Sequence, residues 1–223
     1  MRSASRLFVL VLALGAAGCS TVSQPFSAIR AAITPSESGA TPAAGSRSAA
    51  ARPSPVSAAA QRAFDEAGAL LRSGRTEEAE RALRAMTQAY PDLAGPHANL
   101  GLAYRRTGKL DEAAKELELA VSLSPAQPIY VNELGVVYRQ QGQFAKARDA
   151  YQRAIVLDPG YAAPTLNLGI LYDLYLGDAA QALELYSRYL ALSPSGDAMV
   201  TRWVVELKNR KPAPITVSRQ EKP

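Results

Sequence analysis

The stretch Gly101–Pro125, GLAYRRTGKLDEAAKELELAVSLSP, returns 34 residues later as Gly135–Pro159, GVVYRQQGQFAKARDAYQRAIVLDP. Residue types match place for place. A small residue stands at Gly101 or Gly135, then Tyr104 or Tyr138, a turn glycine at Gly108 or Gly142, and Ala113 or Ala147. Leu117 or Tyr151 follows, then Ala120 or Ala154 and a closing proline. The spacing predicts two helices per unit, Pro128 to Gln141 and Phe144 to Leu157 in the clearest copy. Gly135 and Ala147 are small because two antiparallel helices approach closely there. Gly142 ends the first helix, since only glycine enters the left-handed C′ conformation without a Cβ clash, and Pro159 stops the second. Tyr138, Tyr151 and Leu157 are the expected packing knobs. One unit cannot bury both faces of its helix pair, so units must stack.

The punctuation fixes the extent of the array. Pro91, Pro125 and Pro159 are 34 apart and Pro194 follows 35 later, with turn glycines at Gly74, Gly108, Gly142 and Gly177. The small second-helix residue recurs at Ala79, Ala113, Ala147 and Ala182. Four repeats result, about 60–93, 94–127, 128–161 and 162–195. In the first, Glu66 replaces the leucine of Leu100, Leu134 and Leu168, and Leu70 replaces the tyrosine. A charge at that place marks an end with no earlier helix over it. The fourth holds an extra residue between Tyr172 and Gly177, either a longer helix or a bulge. Beyond Pro194, Ser195-Gly196-Asp197 offers an N-cap to a helix over 196–209. Met199, Val200, Trp203, Val204 and Leu207 would form its one apolar face, with Trp203 in the core. Residues 210–223 read as a loose tail.

This helix–turn–helix period closely resembles the tetratricopeptide repeat family. The fold class expected is all-α, an α-solenoid of four such repeats with a C-terminal capping helix. The resemblance implies a right-handed superhelix whose first helices line the concave side.

The first quarter of the chain differs in kind. Residues 1–18 carry Arg2 and Arg6, an apolar run from Leu7 to about Ala17, and small residues before Cys19. A run that short is a signal-peptide core and cannot span a bilayer as a helix. Ala16-Ala17-Gly18-Cys19 resembles the bacterial lipobox, although Leu is usual where Ala16 stands. The resemblance implies acylation of the Cys19 thiol, anchoring the chain in the lipid bilayer. Ser20 is not the aspartate of inner-membrane retention, so the same resemblance implies the periplasmic face of the outer membrane. Residues 19–57 are rich in Ser, Ala, Thr, Pro and Gly and read as a disordered tether reaching roughly 35 Å. Within it, Phe26 to Ile33 could instead form a short amphipathic helix at the membrane surface.

Composition excludes several functions. One cysteine and one histidine, His97, leave no disulfide framework and no zinc site of Cys/His type. The formal charge of +5 falls to +3 without Arg2 and Arg6 (+5 − 2), too weak and scattered for nucleic acid. His97 heads a helix, where it is packed or exposed, and no nucleophile elbow or phosphate loop appears. Asp111, Glu112, Glu116 and Glu118 read as a solvated helix face. No catalytic residue, metal or cofactor is expected.

Helical spacing places Leu102, Val136 and Ile170 on the inner side, with Arg105, Arg139 and Asp173 one turn on and Asn132 one turn before Val136. These seven form the candidate groove, an apolar seam with a carboxylate of a bound segment against Arg105 or Arg139. The same three apolar residues could equally pack between first helices. Asn99 and Asn167, before the packing leucines, read as structural. The lysine and asparagine set with which some family members clamp a chaperone's C-terminal carboxylate is not reproduced.

The function expected is a membrane-anchored periplasmic scaffold or adaptor that binds other envelope proteins. Similar repeat lipoproteins assist pilus and secretin assembly, join cell-wall hydrolases, or belong to energy-transducing machines. Two alternatives stay open: a basic module for an acidic envelope polymer, and an oligomeric enzyme regulator using Tyr175, Tyr186 and Tyr189 as an exposed patch. The oligomeric state is left undetermined by the sequence.

Overall fold

The computed structural model describes residues 57–210. The signal segment, Cys19, Phe26 to Ile33, nearly all of the tether and the tail lie outside them. Among the described residues the chain is all-helical: α1 (Ala58–Arg72), α2 (Thr76–Ala89), α3 (Ala94–Arg106), α4 (Leu110–Leu123), α5 (Pro128–Gln140), α6 (Phe144–Leu157), α7 (Ala162–Leu171), α8 (Ala179–Leu192) and α9 (Ala198–Asn209). A π-helical turn, Tyr172–Leu176, extends α7. The expected solenoid of helical hairpins is what forms.

Each first helix closes in the same way. Gly74, Gly108 and Gly142 take φ of 78°, 78° and 74°, where L side chains are strained. The next residue then donates its N–H five positions back, Arg75 to Leu70, Lys109 to Tyr104 and Gln143 to Tyr138, at 3.0, 2.9 and 2.8 Å. This is the Schellman closure. In the fourth unit the π turn resolves the extra residue. Gly177 keeps a φ of 72°, and the Asp178 N–H still reaches Tyr172, now six positions back, at 3.0 Å. Second helices end two residues before Pro91, Pro125, Pro159 and Pro194, because proline pushes its predecessor out of the helical region.

The close approaches sit where the repeat puts its small residues. A Cβ on Gly135 would stand 2.7 Å from the Tyr151 ring, and one on Gly101 would stand 2.7 Å from Leu117. Ala79, Ala113, Ala147 and Ala182 are fully buried. Tyr151 is also fully buried, a burial worth roughly 2–3 kcal/mol. Three clusters of buried side chains share borders: Tyr138 packs against the first and second, Tyr172 and Tyr175 against the second and third. The hydrophobic interior is therefore continuous along the row.

Some knobs are placed differently. Leu157 is 37% exposed at the last turn of α6, so it covers the core edge without filling it. Tyr138 is half-buried and turns its hydroxyl to Glu118. On α9, Val200, Val204 and Leu207 are buried and Trp203 lies against Tyr186 with ring centroids 5.5 Å apart, but Met199 points outward. Glu66 is exposed on α1. No described helix is long and apolar enough to cross a membrane.

First helices touch first helices of the next unit (α1 with α3, α3 with α5, α5 with α7), whereas second helices make no comparable contact with one another. The row accordingly bends with its first helices on the inside.

Candidate functional site

The inner face carries a chain of polar side chains across α3, α5 and α7. Arg105 lies 3.3 Å from Glu133 Oε2. The Asn132 amide donates to Glu133 Oε1 and to the Tyr161 hydroxyl, both at 3.4 Å, and its carbonyl accepts from Asn167 at 3.0 Å. Asn132 and Glu133 are buried. Burial, followed by the Glu133 charge, pushes the Tyr161 phenol above its ordinary value, so it stays a neutral hydroxyl. Several buried polar atoms have no hydrogen-bond partner among the described residues, including Asn99 Oδ1, Arg105 Nε and Thr165 Oγ1.

The open apolar seam is absent. Leu102, Val136 and Ile170 are 3%, 8% and 8% exposed and belong to the three core clusters, so they pack between helices. Asp173 is held in place, accepting from Arg210 at 3.1 Å and from the Tyr186 hydroxyl. Arg105 and Arg139, treated alike in the sequence, differ. Arg105 has a carboxylate partner, but among the described residues Arg139 donates only to the hydroxyls of Tyr151 and Tyr175, at 3.3 and 3.4 Å. The Arg139 guanidinium also lies 5.8 Å from the Tyr175 ring centre. Burial raises the Tyr151 phenol more than Arg139 lowers it, so its partner there is a neutral hydroxyl.

Glu133 is the member of this set that sequence reasoning passed over. Its signal was available: it occupies the place held by Asn99 and Asn167 in the neighbouring units. Asn167 also does more than pack, because it ties α7 to Asn132 on α5.

Two further expectations are refined and a third, the exposed tyrosine patch, is corrected. On α4, Asp111, Glu112 and Glu118 are exposed as expected, although Asp111 also meets Gln141 and Glu118 the Tyr138 hydroxyl, whereas Glu116 is half-buried and bonded to His97. His97 is buried, with Nδ1 2.6 Å from Glu116 and Nε2 3.0 Å from the Pro91 carbonyl, so both ring nitrogens are engaged. Tyr186 is 1% exposed and Tyr175 stacks on Phe144, so with the half-buried Tyr189 they make no exposed aromatic patch. Among the described residues no group of three or more His, Cys, Asp or Glu is placed to hold a metal ion.

With this geometry in view, the model of the tetratricopeptide repeat matches twice, over residues 64–128 and 98–162. Together the two matches span residues 64–162. Solved structures give the same architecture. A crystal structure of MamA is 25% identical over 63% of this chain and 81% of its own, with a TM-score of 0.57. MamA from Desulfovibrio magneticus RS-1, residues 41 to the end, is 19% identical over 69% and 85%, with a TM-score of 0.60. PilF of Pseudomonas aeruginosa is 23% identical over 67% of each chain, with a TM-score of 0.62, and that likeness speaks to the fold alone. No curated protein matches the chain in sequence. Tetratricopeptide repeats are a protein-interaction scaffold, and the inner face here is formed by the first helices.

Proposed function

We propose that the chain is a lipid-anchored scaffold of a bacterial envelope, fixed through Cys19 to the periplasmic face of the outer membrane, and that its first helices receive a segment of a partner protein. The observation that carries the binding half is the polar chain from Arg105 through Glu133 and Asn132 to Asn167, which crosses three units of the inner face. A stack of helical hairpins offers a long surface for an extended or helical segment. The lipobox-like tetrad before the low-complexity leader supports the anchoring half.

The scaffold reading is tested by crosslinking capture from envelope membranes with the wild type and with Arg105→Glu/Arg139→Glu. The double variant should lose a discrete subset of partners, and equal recovery of all of them overturns the groove. Anchoring is tested by fractionation: Cys19→Ser should leave the membrane pellet, and an unchanged distribution removes the lipid anchor.

A further inference from the structure

We infer that Arg139 is the receptor for an acidic side chain, glutamate or aspartate, of the segment that the inner face binds. The inference rests on the groove reading above and names the chemistry of its occupant.

The repeat supplies the argument. At the junction of the second and third units, Arg105 on α3 is paired with Glu133 on α5. Advance both by the 34-residue period and the pair becomes Arg139 on α5 and Asn167 on α7. The cation recurs, but its carboxylate has become an amide. That amide is turned away, donating to Asn132 at 3.0 Å. Arg139 meets two phenol hydroxyls over 3.3–3.4 Å and no carboxylate within ion-pair distance among the described residues. The nearby acid by spacing, Asp173, is held by Arg210 and Tyr186.

A half-buried guanidinium faced only by long bonds to neutral hydroxyls retains donor capacity and an uncompensated charge. Its planar fork matches a carboxylate through two parallel N–H donors, stronger than bonds to neutral oxygen. Tyr151 and Tyr175 fix the side chain before the ligand arrives, which lowers the ordering cost of binding. The chain thus compensates this position internally at one junction and leaves it to a partner at the next.

The test uses a displayed library of random peptides selected on the immobilised protein, as wild type, Arg139→Gln, Arg139→Lys and Asn167→Glu. Wild-type selection should enrich Asp or Glu at one interior position. A synthetic peptide of a recovered sequence should bind Arg139→Gln about tenfold or more weakly. Its Glu→Gln counterpart should bind wild type and Arg139→Gln equally. Arg139→Lys should keep part of the acidic preference. Asn167→Glu, which restores in the chain the carboxylate present at the other junction, should suppress it and still fold should Arg139→Gln not. Peptides recovered without acidic enrichment, or with enrichment indifferent to these variants, overturn the anchor and leave the groove standing. Failure of the wild type to select any peptide removes the groove reading and the anchor with it.

Discussion

Lys109 Nζ lies 2.9 Å from each carboxylate oxygen of Glu80, joining the first two repeats through the residue that precedes α4. Glu80 is buried and also accepts from Arg84 at 2.6 Å, while Arg84 donates to the Tyr104 hydroxyl. Two half-exposed cations therefore satisfy one buried anion. Lys109→Met leaves Glu80 with Arg84 alone and should lower the unfolding free energy by about 1–2 kcal/mol. Glu80→Ala should cost more, about 2–3 kcal/mol, because it also opens space in α2. Urea denaturation of the two variants gives the comparison, and equal midpoints with wild type would refute the tie.

Glycine substitutions should separate two physical causes. In Gly135→Ala the new methyl meets the Tyr151 ring at 2.7 and 2.8 Å, forcing α5 and α6 apart at a cost of about 1–3 kcal/mol. Gly142→Ala meets nothing within 4 Å, and its penalty of about 1–2 kcal/mol comes from the backbone at φ 74°. The double variant Gly135→Ala/Tyr151→Ala should lose less than the sum of its two single changes, since the methyl then has room. The same Tyr151 change should do nothing for Gly142→Ala.

Alkali should unfold the array early. Burial raises the Tyr130 phenol from 10.0 to about 12, and its hydroxyl has no partner among the described residues. A folded-state value above the unfolded one means the native chain holds the proton more tightly. This contribution is complete below pH 10 and is lost as pH rises through about 12. Tyr151 and Tyr161 shift in the same direction. Tyr130→Phe should therefore lose less stability than wild type across that window, by roughly 2–3 kcal/mol. At neutral pH it should be within about 0.5 kcal/mol of wild type, since no hydrogen bond is broken. Urea midpoints measured against pH test both statements.

The last helix depends on its cap. Asp197 accepts the N–H groups of Met199 and Val200 at 2.9 and 3.0 Å and the Tyr189 hydroxyl at 3.1 Å. Asp197→Ala should cost about 1–2 kcal/mol, and Asp197→Ser should regain much of it. Quenching of Trp203 fluorescence by acrylamide should rise as α9 loosens from Tyr186. Unchanged quenching would separate the cap from the docking of α9.

Helix placement was legible because the constraints on it are local. A turn glycine, a proline two residues past a helix and a small residue at a crossing each act on the chain near themselves. The inner face was less legible because its chemistry depends on which neighbour a side chain meets. Arg105 and Arg139 occupy equivalent places, and only the identity of the residue 28 positions later, Glu133 or Asn167, distinguishes them. Helical spacing assigned Asp111, Glu112, Glu116 and Glu118 to water, and of these Glu116 departs from it, half-buried against His97. Leu102, Val136 and Ile170 lie on the expected side, but neighbouring side chains cover them.

The π turn before Gly177 has a consequence for what this array can become. The surplus residue is taken up between Tyr172 and Asp178, and the bond that clasps them is the one the other hairpins use. Angular error that would otherwise pass into α8 and α9 stays inside a single coil, so Ala182 and Tyr186 meet α7 much as their counterparts meet α3 and α5. One link can thus be lengthened without rephasing those beyond it, and the fourth hairpin's inward rim can be resculpted by insertion while the rest of the spine keeps its pitch.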